Sequence, residues 1–434
     1  MHSDQQASFD APRLEEMGSE KMRKRVCVIT SGHVSSTPRM EKAAEAFADA
    51  GYGVRVVRVD QPTWARPADA NLRITKSWDW STVTCDREEH PVGYWKTAIR
   101  HKAAKYMASF TSPLGCPLQI AILAQSRMYP ELLHAALSQP ADLFYGGTAG
   151  GLAVAAAAGA RTNTPYALDL EDFHSEEQDP SPAADLSHCL TERVESMVLR
   201  GATFLTAGSS AIAEAYSTKY GFRPVTINNT FPLPTVSPEF RTTRGKDLRL
   251  IWLSQTVGPS RGLEDAVLAI GRAQVTGELH LRGAPHPGYL NELRQLADAY
   301  APGLRIFHHA PDPEQSPIDL CRGYDVGLAL EQGHVRNRAL CLTNKVFTYI
   351  LAGLAVAFTD TPGQRPLAED LGPAAFLYSL GDIDGLAAGL KRWAEDKALL
   401  NRAKMAAWES ATRRWHWEHH DERGALLELT AGAL

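Results

Sequence analysis

Cysteine is scarce in this chain: six residues in 434, Cys27, Cys85, Cys116, Cys189, Cys321 and Cys341, all far apart and with no C-x-x-C pair. That spacing argues against a disulfide-stapled scaffold and against a structural zinc site, and it fits reduced thiols in a cytoplasmic protein. No metal is expected. Long apolar runs are missing as well, since nowhere do about 18 uncharged apolar residues follow one another, so no membrane-spanning helix is expected. The opening stretch "MHSDQQASFDAPRLEEMGSEKMRKR" is polar and has no apolar core of the signal-peptide kind. A basic excess is also lacking. The 45 lysines and arginines stand against 50 acids, a net charge of -5, so no global field points to nucleic acid as a partner.

What is present is an ordinary globular composition, 44% hydrophobic, in a length that predicts two or three domains. Residues 1–24 read as a flexible tail, too polar to bury a core. From Arg25 short apolar runs alternate with helical ones. "VCVITS", "MEKAAEAFADAG" and "GVRVVRVD" form a βαβ unit, and "ADLFYGG", "PYALDLED", "TFLTAGS" and "PVTINN" continue the strands. The rhythm breaks in the proline-rich, charged "TFPLPTVSPEFRTTRGKD", residues 230–247. A second series then starts with "LRLIWLS" and "GLEDAVLAIGRA". The expected organisation is a domain over 25–232, a linker over 233–247 and a second domain from 248. Both are predicted to be α/β, Rossmann-like and doubly wound around parallel sheets, facing each other across a cleft.

In such sheets ligands bind outside the carboxyl ends of the strands, which directs attention to the strand-to-helix loops. In the first domain these hold Gly32, His33, Ser35 and Arg39 in "SGHVSSTPR", Gly147 in "GGTAGG", and Glu171, Asp172 and His174 in "DLEDFHSEE". The last loop concentrates acids that suit a polyhydroxylated sugar or an amine; Asp172 and His174 are the expected cleft residues. In the second domain, Gly258 allows close backbone approach and Arg261 stands beside a helix start, a pairing suited to diphosphate. Arg336, Arg338 and Lys345 then precede another helix. Cations oppose the dipole at a helix start, so an anion between them explains them better than helix stability does. Glu331 ends a strand and faces the cleft in this reading.

The segment "DVGLALE...TNKVFTYILAGLAVAFTDTPGQRPLAED" resembles the nucleotide-sugar site of the glycogen-synthase-like, retaining (family 4 type) GT-B glycosyltransferases, whose usual pattern is N-K-x-F-E-Y-x-A-x-G-x-P-V-V followed by a Gly-containing turn. "ITSGHVSSTPRMEKAAEAFADAGYGVRVV", "TFLTAGSSAIAEAYSTKYGFRPVTINN" and "LRLIWLSQTVGPSRGLEDAVLAI" are similar to the family's segments in the same order. The resemblance implies an acceptor-binding N-terminal domain, a donor domain over 248–405, and a last helix, 406–434, returning to the first domain with Trp408, Trp415 and Trp417 as anchors. It also implies hexosyl transfer with retention, from a UDP-, GDP- or dTDP-sugar to a saccharide, lipid-linked or natural-product acceptor, with no further cofactor. Asn344, Lys345 and Arg261 would hold the diphosphate, with Gly258, Glu331, Arg338 and Thr348 around the nucleotide, and Asp172, His174, Arg261 and Lys345 would act in catalysis.

Departures from the pattern matter. The family's two glutamates, eight positions apart, appear here as Leu340 and Thr348, so only one hydroxyl remains for the ribose. An epimerase of the same fold and a non-catalytic binding partner therefore stay open, as does oligomeric state. Finally, "GYWKTAIRHKAAKYMASF", residues 93–110, sets Lys96, Arg100, Lys102 and Lys105 among Trp95, Ile99, Tyr106 and Met107. On a helix this is a basic amphipathic surface, which predicts peripheral contact at the inner face of a membrane or packing on its own domain.

Overall fold

The computed structural model describes residues 23–111, 115–179, 181–240, 247–312 and 315–434. The expected tail thus lies outside the described residues up to position 22, and the expected linker does so over 241–246. A first sheet holds β1 (Arg25–Ile29), β2 (Gly53–Asp60), β3 (Asp79–Thr84), β4 (Leu143–Gly147), β5 (Tyr166–Leu170), β6 (Phe204–Ala207) and β7 (Val225–Thr226), in the order β3-β2-β1-β4-β5-β6-β7. The second holds β8 (Leu248–Val257), β9 (Gly277–Pro285), β10 (Leu304–His309), β11 (Val326–Ala329), β12 (Ala355–Thr359) and β13 (Ala375–Tyr378), in the order β10-β9-β8-β11-β12-β13. Every pairing is parallel.

Helices cover both faces. With the first sheet run α1 (Pro38–Asp49), α2 (Arg66–Thr75), α3 (Pro91–Thr111), α4 (Leu118–Gln125), α5 (Tyr129–Leu137), α6 (Thr148–Thr162), α7 (Pro182–Val198) and α8 (Ser210–Tyr220). With the second run α9 (Leu263–Ala273), α10 (Tyr289–Tyr300), α11 (Arg336–Leu340), α12 (Lys345–Leu351), α13 (Arg365–Leu371), α14 (Ile383–Glu395) and α15 (Lys397–Arg413), and the chain ends in α16 (Ala425–Ala433). Strands buried on both faces read as continuous apolar runs, which is why "AVAFT" is buried throughout. Each sheet is sandwiched between two apolar clusters of its own.

Two elements differ from the sequence reading. The strand from Leu248 continues to Val257, because Thr256 and Val257 pair with Ala284 and Pro285 beyond an irregularity after Leu253. Parallel pairing along β9 thus overrides the polar "SQT", and the turn before α9 shortens to Gly258–Gly262. At the other end α15 runs unbroken through position 405. Its Ala407 and Ala411 lie in the apolar cluster around α12 and β12, and Trp415 packs on Phe347 of that domain. The return follows Arg413: Trp417 and Leu426 are buried among Val26, Val28 and Phe47 of the first domain.

The return is fastened electrostatically. Glu422, fully buried, accepts hydrogen bonds from the backbone N–H and side-chain amide of Asn228 and pairs with Arg414 at 2.9 Å. Removing this carboxylate leaves a buried N–H unpaired and leaves Arg414 with only the exposed Asp421, at 3.0 Å. Glu422→Ala should therefore cost about 2–4 kcal/mol, read as a lower midpoint of thermal unfolding; an unchanged midpoint would show that the contact carries no stability.

Candidate active site

A cavity of about 150 Å³ opens between the two sheets, lined by Arg39, Glu171, Asp172, Gly208 and Asn229 of the first domain and by Cys341, Leu342, Thr343 and Asn344 of the second. Its first-domain wall is built on β5. Asp169, buried near the end of that strand, takes Arg39 of α1 in two bonds, Nε to Oδ2 at 2.8 Å and Nη2 to Oδ1 at 2.5 Å, and Arg39 also donates to Ile227 O. Thr206 of β6 donates to the same carboxylate at 2.6 Å. Burial would raise the Asp169 pKa, but the Arg39 charge and hydrogen bonds hold it below the usual carboxylate range. Arg39 therefore braces the wall, and its guanidinium is committed to protein partners.

Glu171 and Asp172 follow in the loop. Burial and the neighbouring Asp172 charge push the Glu171 carboxyl up to about 7, against the pull of Arg39. Asn229 donates to Glu171 at 3.4 Å and accepts from Lys42 at 2.6 Å. Burial and the Arg39 charge lower the Lys42 ammonium to about 7. His174 lies behind the wall. Burial alone would lower its pKa, yet the hydrogen bond to Glu177 and the charges of Glu177, Asp172 and Glu195 lift it to about 9. Asp172, His174 and Glu177 place ligand-type atoms within 4.8 Å of one another. With that pKa the ring is an imidazolium at neutral pH, so it serves as counter-ion to the two carboxylates, and a cation would have to displace its proton.

The second-domain side centres on Glu331, just beyond β11. Its buried carboxylate accepts from Lys345 Nζ at 2.5 Å, and Thr343 Oγ1 lies at 3.4 Å. Burial would raise the Glu331 pKa, but Lys345, Arg261 and Arg338 together hold it down. Arg261 itself is lowered by burial and by the nearby Arg338 charge. Arg338 donates to Ser260 O at 3.3 Å, which ties α11 to the turn before α9. Three cations thus converge on one acid at the start of α12, as an anion-binding site requires. Asn344 occupies the N-cap of α12, and its side chain caps no helix N–H.

α11 joins the two walls. Asn337 accepts from Phe173 N–H at 2.7 Å and donates to Asp172 Oδ1 at 2.9 Å, while the Cys341 thiol donates to the same oxygen at 3.1 Å. Burial, then the Asp172 charge and hydrogen bond, push the Cys341 pKa well up, so it stays a neutral donor. Ser209 Oγ donates to Leu340 O at 2.7 Å, and Gly363 N–H to Ala339 O at 2.9 Å. A Cβ on Gly363 would stand 2.4 Å from Leu340 O, so only glycine lets the "TDTPGQR" turn lie against α11.

The structure brings together Arg261, Glu331, Arg338 and Lys345 on one side, and Glu171 and Asp172 on the other, with Asn344 between them on the cavity wall. Several expected residues stand elsewhere. His33 is buried, with Nδ1 on Asp69 at 2.9 Å and Nε2 on Gln61 O at 2.8 Å, and Ser35 bonds Asp69 and Ala65. Their loop is thus folded back onto α2, with Gly32 in the same loop outside the cavity lining. Gly147 is a packing glycine: a Cβ there would meet Met40 Sδ at 2.2 Å. Gly258 lies against His286 rather than in the cavity wall. Thr348 is 1% exposed, and its hydroxyl faces Asn344 O of its own helix at 3.4 Å, so it offers no ribose contact. Arg336 turns to Glu176 and the Phe173 ring, away from Lys345. Sequence reasoning missed Asn337, Cys341, Asn229 and Lys42; the Asn228-Asn229 pair after β7 was the one visible signal.

No family model matches the chain, and no curated protein matches it. Among solved structures it is similar to HepE of Anabaena in complex with UDP-glucose, at 16% identity and a TM-score of 0.59, over 94% of this chain and 100% of that one. It is likewise similar to sucrose-phosphate synthase of Thermosynechococcus elongatus, at 14% identity and a TM-score of 0.60, over 95% and 100%. A third is TarM of S. aureus in complex with fondaparinux, alpha-GlcNAc-glycerol and UDP, at 10% identity and a TM-score of 0.62, over 94% and 99%. The architecture of the chain is GT-B: two Rossmann-like parallel-sheet domains facing a cleft.

The His174 cluster gives a signed pH dependence. Its folded pKa of about 9 exceeds the ordinary 6.5, so its stabilisation is complete below 6.5 and is lost as pH rises through 9. Wild type should therefore exceed His174→Gln in stability by a margin that shrinks over that range, by up to about 1.4 kcal/mol per pH unit. Denaturant titrations at several pH values check this, and a constant margin would contradict it.

Proposed function

We propose that the chain is a hexosyltransferase that moves a sugar from a nucleotide diphosphate sugar, a UDP-sugar first among the candidates, to a hydroxyl or amine of a saccharide, lipid-linked or natural-product acceptor. The observation that carries this reading is the set of Arg261, Arg338 and Lys345 around buried Glu331, with Lys345 buried and the two arginines half-buried, opposite Glu171 and Asp172 in a GT-B cleft. The first group supplies positive charge where a leaving diphosphate gathers negative charge, and preorganised charge of this kind is the largest usual source of transition-state stabilisation. The UDP and UDP-glucose bound by HepE support the choice of nucleotide.

In this reading the acceptor hydroxyl donates to ionised Glu171, with Asp172 held in register by Asn337. The acceptor oxygen bonds the sugar C1 as the C1–O bond to the diphosphate breaks on the same face, with retention; the hydroxyl proton passes to Glu171, and the diphosphate leaves as an anion held by Arg261, Arg338 and Lys345. Positioning the two reactants accounts for much of the rate. The residues at the two family carboxylate positions favour a second reading, a non-catalytic binding partner: Leu340 packs on the apolar cluster of the first domain and Thr348 is buried.

Two measurements separate these readings. A thermal-shift series with UDP, GDP, dTDP and their sugars should show stabilisation of wild type by one nucleotide. The Arg261→Ala, Lys345→Ala double variant should bind it about 100-fold more weakly, from the loss of two charge-assisted contacts; equal shifts would place the diphosphate elsewhere. Second, with its carboxyl titrating at about 7, turnover should rise as pH passes through that value. Glu171→Gln should lower turnover by about 10²–10³-fold and flatten the profile while leaving UDP binding in place. Nucleotide binding with no transfer to any acceptor would favour the binding partner.

A further inference from the structure

Surface helices normally turn their apolar stripe inward. α3 does the reverse. Over its 21 residues the fully packed positions facing α4 and the domain are the small Thr97, Ala104 and Ala108, with Tyr94 half-buried against the core and His101 bonded to Leu123 O at 2.8 Å beside them. Val92, Trp95, Ile99, Tyr106 and Phe110, spaced by three, four, seven and four positions, fall on one outward stripe and are between 49% and 82% exposed. Met107, half-exposed, lies beside them. Burying even part of such a stripe is favourable at about 25 cal/mol per Å², so five large side chains on one solvent-facing line call for a covering surface.

Charge identifies the surface. α3 contains no aspartate or glutamate, in a chain of net charge -5. Arg100 is paired with Glu131 at 2.7 and 2.6 Å, while Lys96, Lys102 and Lys105 are exposed and make no ion pair among the described residues. At 100° per residue, Lys96 falls on one flank of the stripe, and Lys102 and Lys105 on the other. Lysines flanking an apolar line can lay their stems along it and hold their ammonium groups at the level of lipid phosphates, with Trp and Tyr rings at the same depth. A second copy of the chain is a poorer fit, because a twofold pairing of α3 would set lysine against lysine with no acid on the helix to meet them.

We propose that the outer face of α3 docks on an anionic lipid surface. The docking does not depend on the chemistry of the cleft. If the transfer reading holds, it places the acceptor-side wall near a membrane: α4 packs on α7 through Gln125 and Thr191 at 3.1 Å, and α7 packs on the His174–Glu176 turn behind that wall. A lipid-linked acceptor then follows as the substrate class.

The test is co-sedimentation of the full chain with vesicles of phosphatidylcholine alone and of phosphatidylcholine with phosphatidylglycerol. Wild type should bind the anionic vesicles at least about tenfold more tightly than the neutral ones, and raised salt should weaken that binding. Each of Lys102→Gln and Lys105→Gln should weaken it about fivefold. Ile99→Ser with Phe110→Ser should abolish it with no change in melting temperature, since both side chains are exposed. No binding by wild type, or equal binding by wild type and the serine double variant, overturns the proposal. So does a wild-type dimer that the same double variant turns into a monomer, which would assign the stripe to a second copy. No arm reads sugar transfer, so failure of the transfer reading leaves a distinct result.

Discussion

The cleft is organised around one buried carboxylate. Glu331 follows the short strand β11 into the seam between the domains, where a lone charge would be costly to bury, and three cations meet it. Lys345 stands at the start of α12, where its charge alone would oppose the helix dipole; the Glu331 contact offsets that opposition. Arg338 reaches the turn before α9, and Arg261 comes from that turn. One acid thus draws together side chains from the two connections that follow β8 and β11, at the carboxyl ends of the second sheet. With three cations around one acid, the group keeps a positive excess for a doubly charged ligand.

The opposite wall depends on the same region through α11. This five-residue helix leans on the Gly363 turn on one side and on Asp172 and Phe173 on the other. Asp172 is therefore held partly by the domain it faces. A shift of the second domain would release Asn337 and Cys341 from that carboxylate and change the charge felt by Glu171. The groups on the two walls are linked by packed contacts rather than by proximity in sequence.

Much of this was legible in the chain. The apolar runs marked the strands, and the topology rule for parallel sheets pointed to the loops that the structure brings together across the cavity: Arg261, Glu331, Arg338, Asn344 and Lys345 come from them, as do Glu171 and Asp172. The misses share a cause. His33 looks like a cleft residue until Asp69, 36 positions later, takes its ring nitrogen. Thr348 reads as a free hydroxyl in the chain, but α12 is buried on all sides. Asn337 gains meaning only from Asp172, 165 positions away. β8 outruns its polar end because β9 pairs with it. For α3, periodicity gave the stripe but not its direction, which is decided by the small residues that α4 can accept against it.

Isothermal titration of wild type with UDP, UMP and uridine tests the central claim most directly, because it isolates the phosphate. If the cations around Glu331 hold the diphosphate, affinity should fall by about tenfold or more at each phosphate removed, as expected for charge-assisted contacts of about 1.5–3 kcal/mol. Equal affinity for UDP and uridine, or no binding of either, would contradict it.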